Sequence, residues 1–502
     1  MISKGLFKAV RVSTAVLLTV IFVLVISKSG SITIVSSLAV MCLLALLCFA
    51  VSKADDRALT VIFTILLCGF GLALYKVGIL LRVYPSWDFG RIYAGVADII
   101  QNGFLKNTYE YFLESSNNLF PTLWITGFVR IASNFGQVYL HDTAILLNVI
   151  SITSSVLFLF IAVKISLGAK TAFVSAAICF GFAPLYAYSP IVYTDTLSLP
   201  LMTLCLLLTV LGMKQCHSTA LSLLFGAFAG ICAFIGYELK PTAAFPLIAA
   251  IVVCLLVQRK SFKFIVSACI FFALGLAIYS VWLRNTAMID ISHIEEYRLP
   301  AMHYVRMGLI GNGGYSGEAH MACAALPNAA ARTAQAKEQI GSILGDYGVG
   351  GLLLHLRDKL LYTWNDGLLY SGSVISQEPL AISSIHNIVL TDGKFYSIYN
   401  GYAQGVHLVM LGMLCAGSIK LAAMKKTYDN PIIPIAFIVI LGVAVFLIVW
   451  ETRSRYLVNC MPIFALCEAW LAVSIFGIRK KTSYKVKMSA DSEKEQAVPL
   501  FQ

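Results

Sequence analysis

Charge is what this 502-residue sequence has least of: Asp, Glu, Lys and Arg make up 12% of it, hydrophobic residues make up 59%, and the mean hydropathy is +0.82. A water-soluble domain carries about twice that share of charge, so a soluble globular fold is excluded. Paired cysteine motifs are missing too. The 13 cysteines lie mostly inside apolar runs with no Cys-x-x-Cys spacing, which excludes a disulfide framework or thiolate metal centre and leaves them as small buried hydrophobes. Cys323 alone is placed well outside the membrane, and one thiol makes no framework. No nucleotide-phosphate loop is present. Nor does a small-residue cleavage site follow the first apolar run, Val10 to Ile26 behind Lys4, Lys8 and Arg11. A second run follows at once, so the first reads as a retained helix and not a signal peptide.

What the chain has in abundance is apolar runs of about 20 residues, enough to cross about 30 Å of hydrocarbon. Twelve are expected as spanning helices: 9–27, 31–50, 58–82, 142–163, 171–189, 197–213, 219–237, 242–257, 264–283, 403–423, 431–450 and 456–476. The fold class is therefore an all-α polytopic membrane protein. The net charge of +12 does not imply nucleic acid, because the basic residues fall in short loops between runs. Lys53 and Arg57, Lys164 and Lys170, Lys214, then Arg259, Lys260 and Lys263, Lys425 and Lys426, and finally Arg479, Lys480 and Lys481 all lie on one side. The positive-inside rule makes that side, and both termini, cytoplasmic. Trp87, Tyr186, Tyr188, Tyr193, Tyr237, Tyr279, Trp282 and Trp450 fall at the opposite ends, where interfacial aromatics belong.

Two large loops, 83–141 and 284–402, are then external. Within the first, Leu119 to Phe135 is short, carries Arg130 and as a span would put Asp195 on the opposite side from Asp88; it is expected as a juxtamembrane helix in the outer interface. The second holds His303, Arg306, the glycine-rich turn 311–318 and an amphipathic stretch, Leu352 to Trp364, expected to lie on the membrane. The polar tail after Lys481 is expected to be disordered in the cytoplasm.

Ionisable residues inside the spans are few, Lys76 and Glu468, which argues against a charged transport path. Polar residues gather instead at the outer helix ends: Asp88; Tyr193-Thr194-Asp195-Thr196; Glu238-Leu239-Lys240-Pro241-Thr242; and Glu451-Thr452-Arg453-Ser454-Arg455-Tyr456. One such cluster is an ordinary cap, whereas four on one face describe a shared external site. Nucleotide sugars are not available there, so the substrate should arrive through the membrane. A polyprenyl phosphate carrying a sugar fits the pieces. Asp88 would serve as base for an acceptor hydroxyl, and Lys240, Arg453 and Arg455 would receive the departing phosphate. One carboxylate opposite a phosphate leaving group would invert the anomeric centre.

The run Trp87-Asp88-Phe89 with Tyr93-Ala94 and Asn102-Gly103, then Tyr193-Thr194-Asp195, Lys240-Pro241-Thr242 and Arg453-Ser454-Arg455-Tyr456, resembles the GT-C superfamily of membrane glycosyltransferases, of the protein O-mannosyltransferase and aminoarabinose transferase type. The resemblance covers about residues 58–476, with 1–57 forming two additional N-terminal helices and 477–502 a tail. It implies a bundle of about 12 transmembrane helices with juxtamembrane helices in two external loops, and a polyprenyl-phosphate sugar donor. The roles it implies are catalysis for Asp88 and Asp195, donor-phosphate binding for Lys240, Arg453 and Arg455, and substrate binding for Trp87, Tyr193, His303, Arg306 and Tyr456. Asp195 would orient the acceptor or, with Asp88, hold a divalent cation such as Mg or Mn. Unlike some relatives, Asp88 has no second acid beside it. Pro300 to Leu309 looks like an external-loop feature of Gram-positive members acting on envelope polymers, so the acceptor is expected to be teichoic acid, polysaccharide, lipid or protein. The alternative is a flippase, exporter or polymerase of lipid-linked glycans; an exporter predicts internal repeats and a polar path, neither of which is seen.

Overall fold

Backbone groups in hydrocarbon must find partners within their own segment, and so each apolar run closes its hydrogen bonds as a helix. The computed structural model describes residues 2–136, 138–257, 259–377, 379–424 and 430–477; among them the regular elements are helical and one isolated bridge joins Val83 to Pro379. Lys425, Lys426 and the tail after Lys481 lie outside the described residues.

The chain opens with α1 (Ile2–Lys28), α2 (Ser31–Lys53) and α3 (Asp56–Leu80). The first large loop carries α4 (Trp87–Asn102), α5 (Tyr109–Glu114) and α6 (Leu119–Ser133). The central bundle follows as α7 (Leu140–Leu167), α8 (Ala169–Phe180), α9 (Ala183–Ala187), α10 (Thr194–Leu197), α11 (Leu199–Lys214), α12 (Thr219–Leu239), α13 (Phe245–Leu256) and α14 (Phe262–Asn285). The second large loop holds α15 (Ile294–Tyr297), α16 (Ala301–Met307), α17 (Gly317–Ala324), α18 (Ala329–Trp364), α19 (Ser371–Ile375) and α20 (His386–Val389). Three more, α21 (Tyr396–Ala423), α22 (Ile432–Val449) and α23 (Met461–Phe476), complete the bundle.

Ten segments among the described residues are long and apolar enough to cross a membrane. The other two of the twelve expected runs come out as shorter helices, α8 and Pro241–Leu256. The causes are local. Run 171–189 breaks at Gly181, where Phe182 turns extended and Pro184 starts a new helix; at 240–241 Lys240 is extended and Pro241 offers no N–H to the preceding turn. α6 is 15 residues, about 22 Å at 1.5 Å per residue, and packs on α4 and α7. The stretch 352–364 lies in the second half of the 36-residue α18, which kinks at Gly348 (φ 53°). Its inner face is mixed: His355, Lys359 and Thr363 are buried together with Leu360 and Trp364, whereas Leu353 and Leu354 are exposed.

One apolar core runs from Leu18 on α1 to Ala472 on α23, so the N-terminal pair shares the core of the rest. Both α1 and α2 pack along α21, where a Cβ on Gly405 would meet Ser36 Cβ at 2.7 Å and one on Gly401 would meet Ile32 at 2.9 Å. The two large loops are stitched together by Leu105 N to Met288 O (2.9 Å), the Tyr109 hydroxyl to Asp290 O (2.9 Å) and Leu299 N to Glu114 O (3.3 Å). Beneath these bonds lies a second small core of Ile99, Leu105, Phe112, Leu113, Leu119 and Ile289.

Candidate functional site

Asp88 sits in the first turn of α4, where a helix N-terminus favours negative charge. The turn is tight. Trp87 takes φ 45°, uncommon for a residue with a side chain, and a Cβ on Gly90 would lie 2.4 Å from Pro85 O. Two phenols address the carboxylate: Tyr111 donates to Oδ1 at 2.8 Å and Tyr193 to Oδ2 at 3.2 Å. Asn118, fully buried, donates to the Tyr111 oxygen at 2.6 Å and presents its own Oδ1 to the Tyr193 hydroxyl at 3.3 Å. Burial and then the adjacent Asp88 charge hold both phenols well above the usual tyrosine range, so they remain donors.

Three interrupted helices supply the rest. Asn148 on α7 donates to the carbonyls of Tyr188, Ser189 and Ile191, fixing the non-helical approach to Tyr193 and Asp195. Asn459 donates to Thr242 Oγ1 at 2.7 Å, tying the 3₁₀ turn Ser454–Cys460 to the turn Pro241–Ala244. Such non-helical backbone at membrane depth persists only where protein or a polar cavity surrounds it. Asp195, 2% exposed, pairs with Lys240 and lies 3.2 Å from Arg455 Nε. The Arg455 guanidinium also sits 4.6 Å from the Trp87 ring, 5.2 Å from Tyr193 and 5.5 Å from Tyr456. Lys240 lies over Tyr456, whose hydroxyl donates to Glu451 at 2.9 Å. Burial pushes the Glu451 carboxyl up, an effect the Tyr456 hydroxyl and both arginines oppose and Asp88 reinforces.

Arg453 differs from its neighbours. Its guanidinium faces the Tyr370 ring at 4.3 Å, and no carboxylate among the described residues forms an ion pair with it. Beside it, Ser454 donates to Asp366 at 2.8 Å, and the amides of Leu368 and Tyr370 donate to the same carboxylate at 3.0 and 2.6 Å.

His303 and Arg306 sit one layer further out, on α16. Arg306 is spent on Ala319 O (2.6 Å) and Gln339, and burial with Arg306 and His320 nearby lowers His303 to about 4. Both therefore hold the second loop together. That loop reaches the first through His320 and Glu114, 2.8 Å apart. The glycine-rich turn docks over α18: Gly308 O accepts from Lys359 (2.6 Å), His355 lies 3.0 Å from the same oxygen and 3.1 Å from Gly311 O, and Gly313 O accepts from Thr452 N at 2.8 Å. Burial brings the Lys359 amine down to about 8.

The structure thus gathers Trp87, Asp88, Tyr193, Asp195, Lys240, Arg455 and Tyr456 into one site, with Arg453 at its edge and His303 and Arg306 in the loop above. A divalent cation does not fit this donor set. Asp195 already faces two cations, Asp88 faces two phenol donors, and no group of three or more His, Cys, Asp or Glu among the described residues is arranged to hold a metal. Sequence reasoning missed Tyr111, Asn118, Asp366 and Tyr370. Only Asn117-Asn118, two amides just ahead of an apolar run, offered any signal.

Residues 6–474 match the family described as conserved hypothetical integral membrane protein, and the chain belongs to it. It is a multi-pass integral membrane protein. No curated protein sequence matches it. Among solved structures it is similar to ArnT from Cupriavidus metallidurans bound to undecaprenyl phosphate, with 14% identity, a TM-score of 0.36, and 81% of this chain and 77% of that one covered. It is also similar to the archaeal oligosaccharyltransferase AglB from Archaeoglobus fulgidus in complex with an inhibitory peptide and a dolichol-phosphate, with 13% identity, a TM-score of 0.39, and 80% of this chain and 50% of that one covered.

Proposed function

We propose that the protein transfers a sugar from a polyprenyl-phosphate-linked donor to an acceptor of the cell envelope, at the outer face of the membrane, with inversion and with Asp88 as the base. One observation carries the reading: a carboxylate held by two phenols stands beside a cluster of three basic side chains, built from the ends of interrupted helices.

The chemistry follows from that arrangement. An acceptor hydroxyl attacks the anomeric carbon while its proton passes to Asp88. The Tyr193 hydroxyl can turn to Asn118 Oδ1, which opens Asp88 Oδ2 for that proton, while Tyr111 steadies Oδ1. The bond from the anomeric carbon to the phosphate oxygen breaks and its electron pair stays with the phosphate. Arginine takes up that charge through two parallel N–H groups. Asp195 has a different task, since its charge is matched by Lys240 and Arg455: it fixes where those cations stand. No step is routed through a metal.

The acceptor in this reading is teichoic acid, polysaccharide, lipid or protein in a Gram-positive envelope, and both termini are cytoplasmic. The test is the sugar composition of the envelope in a strain lacking the protein, complemented with wild type or Asp88→Asn at matched expression. Loss of one glycan substituent, restored by wild type alone, is the expected result. Full restoration by Asp88→Asn removes the base and moves the reading to a flippase or polymerase.

A further inference from the structure

Arg453 and Arg455 are two residues apart, yet the protein treats their charges differently. Arg455 is matched by Asp195. Arg453 has a carboxylate close at hand, Asp366, but that group is spent on Ser454 and on the amides of Leu368 and Tyr370. What faces the Arg453 guanidinium is the Tyr370 ring, 4.3 Å away. An aromatic face attracts a cation without cancelling its charge and leaves the in-plane N–H edge open. The buried Nε of Arg453 has no hydrogen-bond partner among the described residues.

The Tyr370 ring is held in place at a cost in backbone conformation. Leu369 (φ 49°) and Tyr370 (φ 65°) are consecutive side-chain-bearing residues in the left-handed region, a conformation that persists only when the surroundings impose it. Here they do. The Tyr188 hydroxyl donates to Leu369 O at 2.5 Å, Gly367 N donates to Gln404 Oε1 at 3.1 Å, and His407 Nε2 lies 2.7 Å from Trp364 O. The loop is therefore suspended between the approach to Asp195 and α21.

We infer that Tyr370 is a positioning residue for the donor phosphate: its ring holds the Arg453 guanidinium flat, charged and edge-on to the site. The inference rests on the donor reading proposed above. It assigns the 365–371 loop, which contacts neither Asp88 nor Asp195 through any hydrogen bond or ion pair, to recognition of the lipid's phosphate group.

The experiment compares binding of undecaprenyl phosphate and of phosphate-free undecaprenol to the full chain in detergent, by quenching of tryptophan fluorescence. Variants are Arg453→Ala, Tyr370→Phe and Tyr370→Leu, each checked for matched melting temperature. Wild type should prefer the phosphate form, and Arg453→Ala should lose that preference. Tyr370→Leu, which keeps bulk and removes the π face, should reduce the preference about tenfold, and Tyr370→Phe should restore most of it. A Tyr370→Leu protein that discriminates as wild type does overturns the inference and leaves the donor reading standing. So does equal loss in the Leu and Phe variants, which would make the hydroxyl or local packing the cause. If wild type itself shows no preference, the donor reading falls and this inference with it.

Discussion

In the proposed reaction Asp88 is the residue on which the chemistry turns, and its environment sets how its removal should read. Asp88→Asn keeps the shape and an acceptor oxygen for Tyr111, leaves the Tyr193 hydroxyl free to turn to Asn118 Oδ1, and removes the base, so sugar transfer should fall about 10²- to 10⁴-fold in a membrane assay while the melting temperature holds. Asp195 should behave the opposite way. Breaking a buried ion pair by neutralising one partner strands the other, which costs about 3–5 kcal/mol. Asp195→Asn should therefore lower the melting temperature sharply, and adding Lys240→Met should recover part of it, because the double variant no longer buries an unmatched ammonium. Asp88 and Asp195 were legible in the sequence because they belong to four polar clusters that all fall at helix ends on one face. Tyr111 and Tyr370 were not, since tyrosine at a membrane edge is ordinary, and only the fold shows which ring faces a charge.

At the scale of elements, the second large loop is held by backbone fit and by a titratable clasp. A Cβ on Gly308 would lie 2.7 Å from Trp450 O, and one on Gly313, already at φ 80°, would lie 2.7 Å from Lys359 Cδ. Gly308→Ala or Gly313→Ala should each cost about 1–3 kcal/mol of thermal stability, because the turn and α18 cannot both keep their positions. The sequence shows these glycines as a cluster, but that they allow close approach to a buried lysine depends on a helix that turns Lys359 inward. The clasp is His320 with Glu114. The hydrogen bond to Glu114 raises His320 above its ordinary 6.5, so its share of the stability is complete below about 6.5 and lost as pH rises through the folded value. The same bond lowers Glu114 below its ordinary 4.5, so its share is complete above that and lost as pH falls. The difference in melting temperature between wild type and Glu114→Gln should therefore peak at about pH 4.5–6.5, with a half-buried pair contributing about 1 kcal/mol. A flat difference from pH 4 to 9 would show that the two loops close without it.

Across the whole molecule, the apolar runs made the class and the helix order readable, because hydrocarbon leaves the backbone no other choice. What stayed hidden is where helices stop being helices. Run 171–189 looked like an ordinary span, yet its break at Gly181–Phe182, together with the break at Lys240–Pro241 that the sequence already placed between two runs, sets Tyr193, Asp195 and Lys240 around one point. Sidedness can be checked directly. Reporter fusions after Lys214 and Lys263 should report the cytoplasm, and fusions after Asp290 and Ser376 the outside; a reversal would put the site on the cytoplasmic face and remove the external reading.

The seam between α2 and α21 has a consequence for heredity. Neither helix carries a group that the proposed chemistry touches, and at Gly401 and Gly405 the two meet with no room for a methyl group. Yet α21 is the beam from which the Tyr370 loop hangs, through Gln404 and His407 on that same stretch. A screen for inactive alleles should therefore recover single-carbon lesions deep in this seam, in cells that still make and insert the protein. In such alleles every reactive side chain would be intact, and the defect would lie in a support pushed out of line.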